Sequence, residues 1–156
     1  MSWRWKLEPV LRPVFQAWWR MKRGATLGVR VLAQREDGAI MLVKHTYISG
    51  WHLPGGGVES GEVAEEAAER ELEEEAGLVA RGHLKLAGVY ANHKFFRGDH
   101  VILYSVDAPG TCSPVEQGEI AERAWFGLDA LPEDISPATL RRIREHTGEW
   151  VRNLHW

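Results

Sequence analysis

Four stretches of the chain show the hydrophobic patterning of β-strands. The first two, ATLGVRVLAQ (25–34) and AIMLVKH (39–45), are rich in branched side chains and flank REDG, whose Gly38 suits a turn with positive φ. The next two, GHLKLAGVYAN (82–92) and DHVILYSVDAP (99–109), alternate apolar and polar residues and are joined by HKFFRG. The pattern therefore predicts two pairs of strands, of which the first is a β-hairpin.

The segment between the two pairs predicts a loop followed by a helix. GWHLPGGGVESGE (50–62) is expected to be loop until about Ser60, because Pro54 and three successive glycines do not sustain regular structure. A helix is then predicted from about Glu62 to Ala76, and Gly77 is placed to end it in a left-handed conformation.

Beyond the second pair, the chain predicts a loop, a fifth strand and a second helix. APGTCSPVEQGE (108–119) is a long polar loop of the kind that covers a site. RAWFGL (123–128) is expected to be a short strand and DALPED (129–134) a turn, after which Ser136 is the N-cap and Pro137 the first residue of a helix. The order β-β-α-β-β-loop-β-α predicts an α/β fold, in which helices cover a mixed sheet.

The first 24 residues differ from the rest and are expected to form a Trp-rich, basic N-terminal arm, which leaves residues 25–156 as the main domain. The arm interleaves tryptophans with arginines and lysines, and a helix is expected from about Pro9 to Met21. Its aromatic face could pack on the domain, form a homodimer with a second subunit, or rest on an anionic membrane surface. The sequence does not separate these alternatives.

Composition narrows the classes of function. With 156 residues and 44% hydrophobic content, the chain suits one globular domain. The net charge of -3 gives no general attraction to nucleic acid, so no specific nucleic-acid partner is expected. The lone Cys112 excludes an internal disulfide framework and a cysteine zinc cluster, and makes a reducing cytoplasm the expected location. No apolar run of about 18 residues predicts a membrane span.

The glutamates of the first predicted helix fall into two groups on a helical wheel. Those opposite the apolar stripe are expected to be solvated: Glu65, Glu66, Glu69 and Glu73. Glu71, Glu74 and Glu75 instead lie on or beside the stripe, and Glu71 and Glu75 form a like-charged i,i+4 pair that needs a positive partner. Arginines from neighbouring strands could supply that charge. Mg²⁺, with Mn²⁺ as a substitute, also fits, because hard cations prefer oxygen ligands and the small alanines leave room.

The loop before this helix adds backbone groups suited to an anion. LPGGGVESGE brings exposed amides and carbonyls to the helix N-terminus, where the helix dipole favours negative charge. A metal-binding carboxylate cluster beside such a loop would bind and polarise a diphosphate.

The same residues carry a known motif. The pattern Gx₅Ex₇REUxEExGU, in which U is aliphatic, is present at every defined position: Gly56, Glu62, Arg70, Glu71, Leu72, Glu74, Glu75, Gly77 and Leu78. It resembles the Nudix box, and the resemblance covers the chain from Ala25 to the C-terminus. The resemblance implies the Nudix fold, an α/β/α sandwich with a mixed sheet, and Mg²⁺-dependent hydrolysis of a nucleoside diphosphate linked to another moiety.

The resemblance also implies roles for individual residues. The metal ligands would be Glu71, Glu74, Glu75 and the carbonyl of Gly55. Arg70 would orient these glutamates through Glu62. The general base varies in the family and is a box glutamate or one from the later loop, where Glu119 is preferred, followed by Glu122, with Glu116 a further candidate. The bound ions would neutralise the diphosphate oxygens while water attacks phosphorus in line.

The substrate stays open at this stage. Arg97 and Lys94 could contact phosphate or sugar as readily as solvent, and His52 could reach the site or be a packed residue at a strand end. The aromatic residues that could stack on a base are Trp51, Tyr47, Phe95 and Phe96, although Trp51 fits the core better. A downstream proline that marks many ADP-ribose hydrolases is absent, because that region reads NHKFF. Expected substrates are NDP-sugars, dinucleotides or NTPs, and the alternative is a catalytically silent module that senses a nucleotide.

Overall fold

The structure is a computed structural model that describes residues 24–95, 97–115 and 118–156. These residues form six strands and two helices in this order: β1 (Thr26–Gln34), β2 (Ile40–His45), β3 (Trp51–His52), α1 (Ala64–Ala76), β4 (Lys85–Ala91), β5 (Asp99–Asp107), β6 (Ile120–Phe126) and α2 (Pro137–His146). The order confirms the α/β prediction.

Both predicted strand pairs are present. β1 and β2 are antiparallel and joined through Gly38, whose φ of 86° lies in the left-handed region. β4 and β5 are also antiparallel, and β6 pairs antiparallel with β2. The pattern did not predict that β1 pairs parallel with β5 along its whole length, from Thr26 with Asp99 to Gln34 with Asp107. This pairing makes the sheet mixed, with the order β3-β2-β1-β5-β4.

Three boundaries differ from the predictions. Trp51 and His52 form β3 inside the segment expected to be loop, because they pair with the edge of β2. α1 begins at Ala64 instead of Glu62, and β6 begins at Ile120, upstream of the predicted RAWFGL. The ladder of β6 with β2 continues to the end of β2, so tertiary pairing extends the strand into residues with little strand preference of their own.

The Gly-rich loop lies beside the first half of β1. The backbone N–H of Val29 donates to the carbonyl of Gly56 and that of Val31 to the carbonyl of Pro54, both at 2.9 Å. β2 is in ladder register with β1 only next to the hairpin turn. The central strand therefore anchors the loop and sets its position against α1.

One helix packs on each face of the sheet. On one face the stripe of α1, formed by Ala67, Ala68 and Leu72, packs against alternate sheet residues that include Val29, Val31 and Met41. On the other face Ile143 of α2 packs with Leu32, Ile40, Leu42, Leu53 and Leu103. Successive residues of β1 point to opposite layers, as the pleat of a strand requires. This arrangement confirms the α/β/α sandwich, and Gly77, with a φ of 65°, ends α1 as predicted.

Residues 1–23 of the predicted N-terminal arm lie outside the described residues, so the expected helix, packing surface and homodimer stay predictions. Within the part of the chain that the structure describes, no helix is long and apolar enough to cross a bilayer.

Candidate active site

Two glycines let the loop approach both β1 and α1. Gly55 has a φ of 144°, and a Cβ at this position would overlap the carbonyl oxygen of Val29. A Cβ at Gly56 would lie 2.5 Å from Oε1 of Glu71. Because only glycine leaves this space free, the loop backbone lies directly against the central strand and a carboxylate of α1.

Glu75 is the most buried of the predicted metal ligands, with 7% of the residue exposed. Its Oε2 accepts a hydrogen bond from the N–H of Gly55 at 2.8 Å, and its Oε1 lies 3.5 Å from Nδ1 of His45. Burial raises the pKa of Glu75 to about 7, against the lowering effect of the Gly55 hydrogen bond and the Arg30 charge, while the charge of Glu71 adds to the rise. A nearby cation would therefore favour the ionised form of this carboxyl.

Arg70 contacts the other two predicted carboxylate ligands. Its Nη1 donates to Oε1 of Glu71 at 2.8 Å and to Oε2 of Glu74 at 3.2 Å. Its Nε donates to Oε1 of Glu62 at 2.9 Å, so the expected Arg70–Glu62 contact is present. The hydrogen bond to Glu62, followed by that to Glu71, raises the pKa of Arg70 and keeps it cationic.

Glu74 lies further out than the helical wheel predicted. Its side chain is 61% exposed, compared with 13% for Glu71, so Glu74 belongs to the rim of the site and not to the buried stripe. Glu73, expected to be only solvated, is exposed and also lines the cleft described below. The cleft runs along the last two turns of α1, so exposed and half-buried glutamates of those turns both border it.

An open cleft of about 890 Å³ separates α1 from the loop that leads into β6. Arg70, Glu71 and residues 73–75 line one side, and Pro114, Val115 and residues 118–120 line the other. Glu119, the preferred general base, therefore borders the same cleft as the box glutamates, and its charge contributes to the raised pKa of Glu75.

Of the other two candidate bases, the structure describes only Glu122. Glu122 lies on β6, where its Oε1 is 4.0 Å from Nζ of Lys44, and it is not among the residues that line the cleft. Glu116 falls in the short gap at residues 116–117 that the structure does not describe.

Arg30, which the sequence analysis did not single out, reaches the predicted metal ligands from β1. Its Nη1 donates to the carbonyl of Gly55 and, at 3.1 Å, to that of Leu53. Burial lowers the pKa of Arg30, while the charges of Glu75 and then Glu71 raise it. The available signal was a charged residue within the apolar run GVRVLA of a strand.

His45 is a second missed residue, and it lies behind Glu75 together with His52. His45 is 6% exposed, and burial followed by the charge of Arg30 lowers its pKa to about 4, so the ring is neutral at pH 7. The ring of His52 lies 5.8 Å from that of His45, and its Nε2 is 3.0 Å from the carbonyl of Ser49. Burial lowers the pKa of His52 as well. The structure thus places the predicted His52 beside His45, whose ring lies next to Glu75.

Three predicted substrate contacts are not brought to the cleft. Trp51 is 7% exposed and packs edge-to-face on Phe126, with ring centroids 4.8 Å apart, in the layer opposite α1. The indole of Trp51 is therefore part of the core, which is the alternative favoured for it, and it offers no free face for stacking on a base. Lys94 and Arg97 lie in the exposed turn between β4 and β5, at the opposite edge of the sheet from β6. Neither residue is among those that line the cleft.

Among the described aromatic candidates, Tyr47 is both exposed and close to His45, which lies next to Glu75. It is 70% exposed, and its ring lies 5.2 Å from that of His45. Burial of part of the side chain, followed by the charges of Glu119 and Glu75, raises the pKa of Tyr47. Phe95 is 85% exposed in the β4–β5 turn, and Phe96 is outside the described residues.

The donor atoms fit a hard divalent cation. The carboxylates of Glu71, Glu74 and Glu75 and the carbonyl of Gly55 are the oxygen ligands that Mg²⁺ prefers. A cation beside the buried Glu75 would lower its raised pKa and favour the carboxylate form, which is the form that binds Mg²⁺. In the described ranges, no three His, Cys, Asp or Glu side chains form a metal site as they stand. Arg70 donates to Glu71 and Glu74, and Arg30 donates to the carbonyl of Gly55, so cationic side chains contact three of these four donors.

A carboxylate-bearing helix joined to a Gly-rich loop on a mixed sheet is the architecture of a Nudix enzyme, and comparison with known proteins agrees. Residues 24–153 match the NUDIX domain, so the chain belongs to the Nudix hydrolase family. It is 37% identical over 120 residues to the "Putative 8-oxo-dGTP diphosphatase" of Bacillus subtilis, a match that covers 77% of this chain and 78% of that protein.

Two further comparisons agree with this assignment. The chain is 36% identical over 104 residues to the ADP-ribose pyrophosphatase of Methanocaldococcus jannaschii, and this match covers 63% of this chain and 60% of that protein. The crystal structure of a MutT NUDIX hydrolase from Burkholderia pseudomallei superposes with a TM-score of 0.66 at 28% identity, and the match covers 77% of this chain and 96% of that one.

Proposed function

We propose that the chain is a Mg²⁺-dependent hydrolase that cleaves the diphosphate linkage of a nucleoside diphosphate derivative. The observation that carries this proposal is Glu75, which is buried against the N–H of Gly55 beside the cleft that Glu71 and Glu119 line. Carboxylates of like charge in such a place are stabilised by a cation among them. The cleft, at about 890 Å³, is within the usual size range of small-molecule sites.

The proposal divides the chemistry among the residues of the cleft. Mg²⁺, or Mn²⁺ in its place, would be held by Glu71, Glu74, Glu75 and the carbonyl of Gly55. When bound, the ion supplies charge neutralisation for the diphosphate oxygens and lowers the pKa of a water molecule. Arg70 orients Glu71 and Glu74 through the hydrogen bonds described above. Glu119, on the opposite wall, is the proposed general base that accepts a proton from the attacking water.

Two kinds of substrate have support. The names of the two relatives concern 8-oxo-dGTP and ADP-ribose, and both compounds contain a phosphoanhydride beside a nucleoside. Tyr47 offers an exposed aromatic face, which accepts any base without selecting one. We therefore place the substrate among NTPs and nucleoside diphosphates linked to a sugar or a second nucleotide.

A hydrolysis panel with matched variants tests the proposal. Purified protein is incubated with dGTP, 8-oxo-dGTP, ADP-ribose, UDP-glucose and a dinucleoside polyphosphate, in Mg²⁺ or in EDTA, and products are separated by chromatography. We expect one class to be preferred and EDTA to abolish turnover. Glu75→Gln should lower kcat by about a hundredfold or more, because several kcal/mol of charge stabilisation is lost. Glu69→Gln, an exposed residue of the same helix, is the control and should retain activity.

Two results would contradict the proposal. Undiminished turnover in Glu75→Gln would remove the metal assignment. Nucleotide binding without hydrolysis of any compound, in Mg²⁺ or Mn²⁺, would favour a nucleotide-sensing module instead.

A further inference from the structure

Arg30 is a cation that contacts one of the atoms proposed to hold the metal, the carbonyl oxygen of Gly55. Its Nη1 donates to the carbonyl of Gly55, the one backbone ligand of the proposed set, and also to the carbonyl of Leu53 at 3.1 Å. The same Gly55 peptide donates its N–H to Oε2 of Glu75 at 2.8 Å. A single residue of the loop is thus held from one side by a carboxylate and from the other by a guanidinium.

The position of Arg30 in the sheet would destabilise the fold if its charge had no compensating partners. Arg30 is half-buried on the central strand β1, so its guanidinium has lost part of its contact with water. A guanidinium removed from water is destabilising unless opposite charge and hydrogen-bond acceptors compensate it. Here the compensating groups are the two carbonyls and the negative charges of Glu75 and Glu71. Arg30 and the glutamates therefore stabilise one another.

We propose that Arg30 is the built-in counter-ion of the metal site: it holds the Gly55 loop and Glu75 in place when no metal is bound, and it opposes metal binding. Two cations that favour the same carboxylates and the same carbonyl compete, because each loses part of its attraction when the other is present. Arg30 therefore keeps the site assembled at the expense of metal affinity. Arg30 is a positioning residue in this role and touches no reacting atom.

This inference rests on the metal site of the proposed function, and its test does not require turnover. Mn²⁺ is titrated into the full-length protein without substrate, and free Mn²⁺ is followed by electron paramagnetic resonance. Thermal unfolding is measured on the same samples in EDTA and in Mg²⁺. Arg30→Met removes the charge and the donors while keeping an unbranched side chain of similar reach.

The expected results for Arg30→Met have opposite signs in the two assays. Its unfolding temperature in EDTA falls below that of the wild type, because Glu75 loses its counter-ion. Its Mn²⁺ affinity rises at least about fivefold, since a like charge has been removed from the site. The increase in unfolding temperature on adding Mg²⁺ is consequently larger than in the wild type.

Arg123→Met is a matched control. Arg123 is also a partly buried arginine that donates to a backbone carbonyl, that of Ala76 at the end of α1, at 2.6 Å. It is not among the charges that shift the pKa of Glu75. We expect this variant to lose stability equally in EDTA and in Mg²⁺, with Mn²⁺ affinity unchanged.

A second variant keeps the test decisive if Arg30→Met does not fold. Arg30→Gln retains an N–H donor without the charge and should also bind Mn²⁺ more tightly, whereas Arg30→Lys retains the charge and should stay within about twofold of the wild type. Unchanged or weaker Mn²⁺ affinity in both neutral variants would overturn the proposal and leave Arg30 a structural residue. Failure of the wild type to bind Mn²⁺ would instead refute the metal site itself, so the two outcomes are distinguishable.

Discussion

The N–H of Gly55 lies 2.8 Å from Oε2 of Glu75, and this hydrogen bond joins the Gly-rich loop to the last turn of α1. The contact couples two proposed metal ligands, because the carbonyl of the same glycine is one of them. A change in the loop backbone therefore moves a carboxylate, and a change in the carboxylate releases the loop.

Gly55→Ala should strongly destabilise the protein. A Cβ at this position would overlap the carbonyl oxygen of Val29, and the φ of 144° is strained for any other residue. We expect the free energy of unfolding to fall by more than about 2 kcal/mol, measured by urea denaturation. Gly57→Ala is the control, because a Cβ there meets nothing within 4 Å, and its effect should stay below about 1 kcal/mol. Equal effects of the two substitutions would contradict the packing described for Gly55.

The stability of the protein in EDTA should depend on pH through Glu75. Burial raises the pKa of Glu75 from 4.5 to about 7, so the folded state binds more protons than the unfolded state between these values. The contribution of Glu75 to stability therefore falls as pH rises through this range. His45 has the opposite effect, because its pKa is lowered from 6.5 to about 4 and its contribution rises between those values.

Comparison with Glu75→Gln isolates the carboxyl from His45. The difference in unfolding free energy between variant and wild type should shift in favour of the variant by about 1–3 kcal/mol between pH 4.5 and pH 8. Urea denaturation at several pH values in EDTA measures this shift, and added Mg²⁺ should reduce it because a cation favours the ionised carboxylate. A difference that stays constant with pH would show that Glu75 titrates normally.

Glu119→Gln should lower kcat by about a hundredfold, the lower end of the usual effect of general acid–base catalysis. Its Mn²⁺ affinity should stay within about twofold of the wild type, because a base that is not a metal ligand contributes little to binding. Glu122→Gln is the matched control. Glu122 lies on β6, its carboxylate is near Lys44 of β2, and it does not line the cleft. Steady-state kinetics compare the two, and a larger loss in Glu122→Gln would reverse the assignment.

Tyr47→Ala should raise KM for the nucleotide substrate by about tenfold with a smaller effect on kcat, which is the size expected when one stacking contact is lost. Tyr47→Phe keeps the ring and should behave like the wild type. Phe95→Ala removes an even more exposed aromatic residue at the far edge of the sheet and should leave KM unchanged. If Phe95→Ala has the stronger effect, the base binds in the β4–β5 turn and not beside His45.

Local patterns determined the strand pairs, the helix that ends at Gly77, and the motif residues from Gly56 to Leu78. These features depend on neighbouring residues: side-chain periodicity separates strands from helices, and a left-handed residue at a helix end favours glycine. The same periodicity correctly placed Glu71 and Glu75 on the inward side of α1. It placed Glu74 too deep, because a helical wheel gives the direction of a side chain around the helix and not its depth in a cleft.

Only the tertiary structure decided which residues surround those glutamates. Three features join segments that are far apart in the chain. They are the parallel pairing of β1 with β5, the burial of Trp51, and the position of Arg30 and His45 beside Glu75. A sequence pattern records which face of an element is apolar, but not which distant element covers it. The sequence by itself therefore determined the chemistry of the carboxylates, the glycines and Arg70. Only packing against β1 decided that a second arginine, Arg30, lies beside them.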